Sequence, residues 1–196
     1  MPTVNGMRIT RGTRSTFVIR SDRLFMSQTH PMRRIESELA AGFLRAHGAI
    51  EIHSGRLLGI DFDLVGRSAA DSVLWFCEMT ASGFLGSRNR AGRDRDFHVG
   101  ASRKFCEGFA KFSVLRLKER EVREQLARTT GDPAILDAQI ECRLVVPRDC
   151  RFVRALGWRR QLLESVMRVE EVDLSESSRE AMIECLLKSR REQQRM

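Results

Sequence analysis

Apolar and polar residues alternate along residues 58–64, a pattern that predicts a β-strand with one apolar and one acidic face. Asp61 and Asp63 lie on the acidic face. A turn-like GRSAAD segment follows, and a second apolar run, VLWFCEMT, ends with Glu78 and Thr80 on one face. We therefore expect a β-hairpin in which the carboxylates of Asp63 and Glu78 meet on adjacent strands.

The helical spacing of apolar residues predicts a first helix over residues 32–47, and Gly48 is a natural stop at its C-terminus. The stripe that this helix buries consists of Ile35, Leu39, Gly42, Phe43 and Ala46. Glu38 lies on or beside that stripe, whereas Glu36 points elsewhere. An acid in the place of Glu38 either needs a partner in the interior or occupies a solvated edge of the helix.

The rest of the chain adds strands and helices in a regular order. A short strand begins at Ala49, and a long helix with a buried phenylalanine stripe covers residues 101–130. A further strand runs from Ile135 to Pro147, and the chain is helical again from Asp149. The predicted class is α+β, with a central mixed β-sheet of about four or more strands flanked by helices.

The chain of 196 residues divides into three predicted parts. Residues 1–31 form a basic arm or short strands, residues 32–147 form the core, and residues 148–196 form a C-terminal helical extension. The five cysteines show no CxxC pair and no metal-ligand spacing, so we expect buried thiols in a reducing compartment. There is no signal-peptide region and no apolar run that could span a bilayer, which favours a cytoplasmic protein without a membrane partner.

The net charge of +8 predicts an anionic partner, most often nucleic acid and less often a membrane surface. Positive charge is concentrated in a Gly- and Ser-rich loop after Thr80 and at the start of the next helix. The predicted nucleic-acid-binding residues are Arg88, Arg90, Arg93, Arg95, Arg103 and Lys111. Such a loop beside an acidic pair suits a phosphate backbone. Alternatively it is a solvated loop whose Arg and Asp residues pair with each other.

The order helix, strand, strand, strand, helix, strand, with acids on the helix and on the second and third strands, resembles the PD-(D/E)XK nuclease superfamily. This superfamily has the restriction-endonuclease-like fold, and the resemblance covers about residues 32–147. IDFDLVG and VLWFCEMT are similar to the family's strand pair. The resemblance implies that Asp63 is the metal-binding Asp, that Glu78 is the acid of the (D/E)-X-K tripeptide, and that Glu38 is the helix-borne Glu. Asp61 would be a further or alternative ligand.

The sequence departs from the family pattern at one position, where Thr80 stands in place of the tripeptide's Lys. Threonine cannot carry the positive charge that helps to activate water and to stabilise the phosphate in this family. Either the role has moved to Lys104 or Lys111 on the long helix, or the site is degenerate and the protein only binds.

The resemblance implies a metal-dependent endonuclease that hydrolyses phosphodiester bonds in DNA. Mg²⁺ or Mn²⁺ would be held by Asp63, Glu78 and the main-chain carbonyl of Met79, with Glu38 and Lys104 completing the catalytic set. One alternative is a catalytically inactive nucleic-acid-binding or scaffold subunit on the same fold. Another is an interaction protein in which the acids only pair with arginines. Members of this family often act as dimers or within larger nucleoprotein assemblies, and the resemblance implies such a partner here.

Overall fold

The computed structural model describes residues 31–53, 55–68, 70, 72–85, 87–88, 94–95 and 99–195, so residues 1–30 of the predicted basic arm lie outside it. The helices are α1 (Pro31–Ala46), α2 (Val99–Leu117), α3 (Glu119–Thr130), α4 (Phe152–Ala155), α5 (Leu163–Val166) and α6 (Glu176–Arg195). The strands are β1 (Ala49–His53), β2 (Arg56–Leu57), β3 (Ile60–Asp61), β4 (Leu64–Ser68), β5 (Val73–Met79), β6 (Ser87–Arg88), β7 (Asp94–Arg95), β8 (Gln139–Pro147) and β9 (Arg168–Val172). Two 3-10 helices cover Pro133–Asp137 and Gly157–Leu162.

Five strands form one mixed sheet in the order β1-β4-β5-β8-β9. Neighbours are antiparallel from β1 to β5 and parallel from β5 to β9. All seven residues of β5 are buried, as expected for the central strand of a sheet that is covered on both faces. The sheet and its flanking helices confirm the predicted α+β class.

The alternation of side chains along β5 decides which residues face which helices. Leu74 and Phe76 belong to the core that α2 and α3 form on one face. Trp75 and Cys77 belong to the core that α1 and α6 form on the other face. Because successive side chains of a strand point to opposite faces, Glu78 lies on the face of Leu74 and Phe76, toward α2.

The predicted hairpin exists but is shifted along the chain. Its strands are β4 and β5, and residues 60–61 instead form β3, which pairs with β2 in a separate two-stranded ribbon. Leu58 and Gly59, between β2 and β3, have φ angles of 51° and 80°. Two successive positive φ angles characterise a type I′ hairpin turn, which folds Asp61 back toward Arg56. The predicted strand through residues 60–64 is therefore interrupted.

Two further predictions need correction. The helix predicted over residues 101–130 is two helices, α2 and α3, which meet at Lys118. The predicted C-terminal extension is not wholly helical, because β9 adds a parallel fifth strand to the sheet beside β8. The phenylalanine stripe is confirmed as core through Phe105 and Phe112, which are both buried.

The cysteines are all free thiols, in agreement with the absence of a paired spacing. Cys77 and Cys142 are buried as predicted, but Cys106 is exposed on α2, and this part of the prediction is wrong. Among the helices that the structure describes, none combines the length and apolar character that crossing a bilayer requires.

Candidate active site

Asp63 and Glu78 lie opposite each other, just before the first residue of β4 and near the C-terminal end of β5. The register of these strands pairs Leu64 with Cys77, so Asp63 immediately precedes this pair and Glu78 immediately follows it. The Oδ2 atom of Asp63 accepts a hydrogen bond of 2.8 Å from the main-chain N–H of Met79. The structure thus brings together the two carboxylates that the sequence pattern singles out.

Lys111 of α2 contacts Glu78 directly. Its Nζ atom donates to both carboxylate oxygens of Glu78 at 2.8 Å and lies 3.4 Å from Oε1 of Glu107. The side chain of Glu78 is 2% exposed and that of Lys111 is 20% exposed, so the pair is largely removed from water. Gly108 lies on α2 beside Glu78, and a Cβ atom at that position would make an ordinary van der Waals contact with Cγ of Glu78 at 3.9 Å. Lys111 is therefore part of the acidic cluster, as expected for one of the two lysines that could replace the lysine missing at Thr80, and its role in nucleic-acid binding stays a prediction.

Lys104, the predicted catalytic lysine, lies about two turns before Lys111 on the same helix. Its Nζ atom is 3.6 Å from Oε2 of Glu107. The positive charge of Lys104 also acts on Glu78 and Glu36, where it opposes the rise in their pKa. Lys104 thus faces the same cluster at longer range than Lys111 does.

Burial and the charged neighbours of Glu78 determine its protonation state near neutral pH. Burial and the negative charge of Asp63 raise the pKa of Glu78 from 4.5 to about 7, against the opposing contact with Lys111. Burial disfavours a charge on Lys111, but the contact with Glu78 outweighs burial and raises the pKa of Lys111. Lys111 is therefore an ammonium throughout the pH range in which Glu78 titrates.

The helix-borne acid near this cluster is Glu36, which corrects the expectation that Glu38 faces it and that Glu36 points elsewhere. Burial and the charge of Asp63 raise the pKa of Glu36. Glu38 instead accepts hydrogen bonds from the N–H and hydroxyl groups of Ser175 and from the hydroxyl of Ser178. These serines begin α6, so Glu38 holds two helices together. Its two-residue offset from Glu36 corresponds to roughly 200° around α1.

The other predicted metal ligands are placed differently from the expectation. Oδ2 of Asp61 lies 2.9 Å from Nε of Arg56 in an exposed ion pair within the β2–β3 ribbon. Asp61 therefore behaves as the alternative interpretation expects, as a partner of an arginine. Met79 contributes its main-chain N–H to Asp63, whereas the expected contribution is its carbonyl.

The side chain of Thr80 makes a structural hydrogen bond in the turn after β5. It is buried, and its Oγ1 atom accepts a hydrogen bond of 3.0 Å from the N–H of Ser82. Its own N–H bonds to the carbonyl of Val145 on β8. Thr80 therefore stabilises the turn that follows β5, and the ammonium beside Glu78 comes from a different element of the fold.

The predicted basic loop falls mostly outside the described part of the chain. Arg90 and Arg93 lie outside it, and for Arg88 and Arg95 only the backbone is described. Arg103 is exposed in the first turns of α2. The nucleic-acid-binding role of these five arginines stays a prediction.

Sequence reasoning names Lys111 as one of two candidates for the missing lysine, and it misses Glu36. Lys111 follows Glu107 by four positions and Lys104 by seven, a spacing that places all three on one helical face. That face could be recognised as polar within a helix that is otherwise apolar. For Glu36 the sequence offers no comparable signal, since its approach to Asp63 depends on how α1 crosses the sheet.

The donor set fits a magnesium ion better than a transition metal. Among the residues that the structure describes, no three His, Cys, Asp or Glu side chains are grouped so as to hold a metal ion. Asp63 and Glu78 nevertheless supply carboxylate oxygens, and Mg²⁺ in phosphate-handling sites is usually held by one or two carboxylates, water and the substrate. Burial and, second, the negative charge of Asp63 raise the pKa of Glu78, and a cation beside both groups would offset both effects.

The fold and the site define an α+β protein with two carboxylates, Asp63 and Glu78, on adjacent strands of a mixed sheet and a lysine ammonium bound to Glu78. Comparisons of the chain with family models, with curated proteins and with solved structures found no match. Function is therefore inferred from the geometry of the described residues.

Proposed function

We propose that this protein is a metal-dependent endonuclease of the PD-(D/E)XK type that hydrolyses phosphodiester bonds in DNA. The observation that carries the proposal is the contact of the Lys111 ammonium with both oxygens of Glu78, beside Asp63. In this interpretation Lys111 supplies from α2 the positive charge that the motif usually places at the position of Thr80. The net charge of +8 favours a polyanionic substrate.

Asp63 and Glu78 are the residues that would hold Mg²⁺ or Mn²⁺. The bound ion would supply Lewis-acid chemistry at the phosphodiester. Its binding favours the ionised form of Glu78, whose pKa of about 7 otherwise leaves it partly protonated at neutral pH. Metal binding should therefore be tighter at pH 8 than at pH 6.

The remaining residues of the cluster have distinct roles in this proposal. Lys111 would stabilise the negative charge that develops on the phosphate and orient the attacking water. Lys104, at longer range, would add to the positive potential that attracts the substrate. Glu36, whose pKa is raised by burial and by Asp63, would accept a proton from the attacking water.

The test is cleavage of supercoiled plasmid and of linear duplex DNA by the full chain in Mg²⁺ or Mn²⁺. We expect cleavage by the wild type and a loss of at least about 100-fold in Asp63→Ala and in Glu78→Ala. Asp61→Ala is the matched control, since Asp61 is two residues from Asp63 but pairs with Arg56 in an exposed position. Equal cutting by the wild type, Asp63→Ala and Glu78→Ala would point to a contaminant and remove the proposal.

A catalytically inactive nucleic-acid-binding subunit is the second candidate. The specific observation in its favour is that Lys111 already compensates Glu78, so the acid has a partner without a metal ion. This candidate predicts salt-sensitive DNA binding with no cleavage in either metal ion. It further predicts that Asp63→Ala binds DNA as well as the wild type does.

A further inference from the structure

The segment that connects β8 to β9 carries an unusual concentration of arginine. Residues 151–162 read RFVRALGWRRQL, with four arginines and no acidic residue. Phe152, Ala155 and Leu156 are buried in the core. The remaining side chains include Arg151, Arg154, Trp158, Arg159 and Arg160, which we call the arginine–tryptophan surface.

Trp158 is the exposed aromatic residue of this surface. Its side chain is 66% exposed, whereas Trp75 in β5 is 6% exposed. The guanidinium carbon of Arg159 lies 4.9 Å from the centroid of the Trp158 ring. An open indole beside stacked and neighbouring arginines is the combination that binds nucleic-acid strands, because bases stack on aromatic faces and guanidinium groups bind phosphates.

The position of the segment relates this surface to the acidic cluster. Gly83 lies in the turn that follows β5, and its φ is 83°. A Cβ atom built on Gly83 would lie 3.5 Å from Ala155 and from Phe152 and 3.3 Å from Ala101 at the start of α2. The segment thus packs on the turn that begins three residues after Glu78, at the same end of β5 as the proposed active site.

We infer that the arginine–tryptophan surface binds single-stranded or locally unpaired nucleic acid, with one base stacked on Trp158 and the neighbouring phosphates on the arginines. The inference rests on the proposed function in taking nucleic acid as the ligand, and it adds that the substrate has an unstacked base near the cleavage site. Charge complementarity favours nucleic acid over a protein partner, since residues 151–162 carry four positive charges and no negative one.

The direct test is tryptophan fluorescence of the full chain in EDTA, so that no cleavage takes place. The chain has two tryptophans and no tyrosine, and Trp75 is buried, so a ligand at the surface is detected through Trp158. We expect saturable quenching by an oligothymidylate, weaker binding of a fully paired duplex, and no quenching by an abasic oligonucleotide of the same length. Quenching by the abasic strand that equals quenching by oligothymidylate would overturn base stacking.

Variants measured by anisotropy of a labelled oligothymidylate complete the test. Trp158→Ala should weaken binding by at least about fivefold, and Trp158→Phe should bind with intermediate affinity. Leu117→Ala is the matched control, because Leu117 is 86% exposed at the far end of α2, about 24 Å from Ala101 along the helix. Unchanged affinity in Trp158→Ala, or no binding of oligothymidylate by the wild type, would overturn the inference.

The two proposals fail in distinguishable ways. Metal-dependent cleavage by the wild type together with normal binding by Trp158→Ala would remove the arginine–tryptophan surface and leave the nuclease. Binding that depends on Trp158, without cleavage in Mg²⁺ or Mn²⁺, would support the surface and leave the catalytically inactive candidate as the function.

Discussion

The ammonium of Lys111 lies 2.8 Å from both carboxylate oxygens of Glu78, although the two residues come from a helix and a strand 33 positions apart in the chain. Burial and the neighbouring carboxylate of Asp63 together raise the pKa of Glu78. One buried acid is therefore held between a like charge and an opposite charge. A site of this kind is sensitive to the loss of either neighbour and to pH.

Replacing Lys111 by methionine should destabilise the protein. The substitution leaves Glu78 buried without its partner, and we expect the free energy of unfolding at pH 8 to fall by about 1–3 kcal/mol. Protonation of Glu78 limits the loss, so the effect should be smaller at pH 5.5. Lys118→Met is the control, since Lys118 pairs with an exposed Glu121 and should change stability by less than about 0.5 kcal/mol. Denaturant unfolding followed by circular dichroism measures both, and equal effects would contradict a special role for Lys111.

The stability of the protein should fall as the pH rises through the window from 4.5 to about 7. The folded protein holds a proton on Glu78 in that window while the unfolded chain does not, so raising the pH favours unfolding. Glu36, whose pKa is also raised, acts in the same direction. In Glu78→Gln the decrease should be smaller by at most about 3 kcal/mol. Unfolding titrations at pH 5, 6, 7 and 8 test this, and parallel curves for the two proteins would show that Glu78 does not titrate there.

Divalent cations should reverse that loss of stability. A ligand that binds the folded state alone stabilises it by about 2.7 kcal/mol at a concentration 100 times its dissociation constant. We therefore expect Mg²⁺ to raise the melting temperature of the wild type at pH 8 and much less at pH 5.5. Chelation by EDTA should remove the gain, and Asp63→Asn should show none. An equal gain in Asp63→Asn would place the cation elsewhere.

The central strands can be predicted from sequence because their local pattern agrees with their environment. β5 is apolar throughout and β8 is apolar over most of its length, as expected for strands covered on both faces. β9 reads RVEEV and follows short helical turns, so its strand conformation comes from pairing with β8. Only long-range contact supplies that information, and local propensity does not.

The candidate site shows the same division between local and long-range information. Asp63 and Glu78 can be paired from sequence because a hairpin relates them. The choice between Glu36 and Glu38 depends on the rotation of α1 over the sheet, and the choice between Lys104 and Lys111 depends on which turn of α2 lies over Glu78. These relationships are set by packing between elements that are distant in the chain, and the spacing of residues along the sequence does not determine them.

Substitutions of Glu36 and of Glu38 should have different effects: the first should reduce cleavage, and the second should reduce stability. Glu38→Ala removes hydrogen bonds to Ser175 and Ser178 at the start of α6 and should cost about 1–2 kcal/mol of unfolding free energy. Hydrogen bonds to these serines lower the pKa of Glu38 despite its partial burial, so this contribution is present above pH 4.5 and fades as the pH falls below it. Glu36→Gln should be at least as stable as the wild type at pH 8, because it removes a carboxylate whose pKa is raised by burial and by Asp63, but it should lose cleavage. Cleavage lost in Glu38→Ala at a temperature where the variant is folded would reverse the assignment.

Two helical glycines should respond in opposite directions to alanine. A Cβ atom on Gly42 of α1 would lie 2.4 Å from Cγ1 of Val172 on β9, so Gly42→Ala should destabilise the protein by about 1–3 kcal/mol. The double variant with Gly42→Ala and Val172→Ala should recover most of that loss of stability. A double-mutant cycle measures the recovery. Gly108→Ala has its nearest contact at 3.7 Å and should gain about 0.5–1 kcal/mol from helix propensity. A Gly42→Ala variant as stable as the wild type would contradict the packing of α1 on β9, which also positions Glu36.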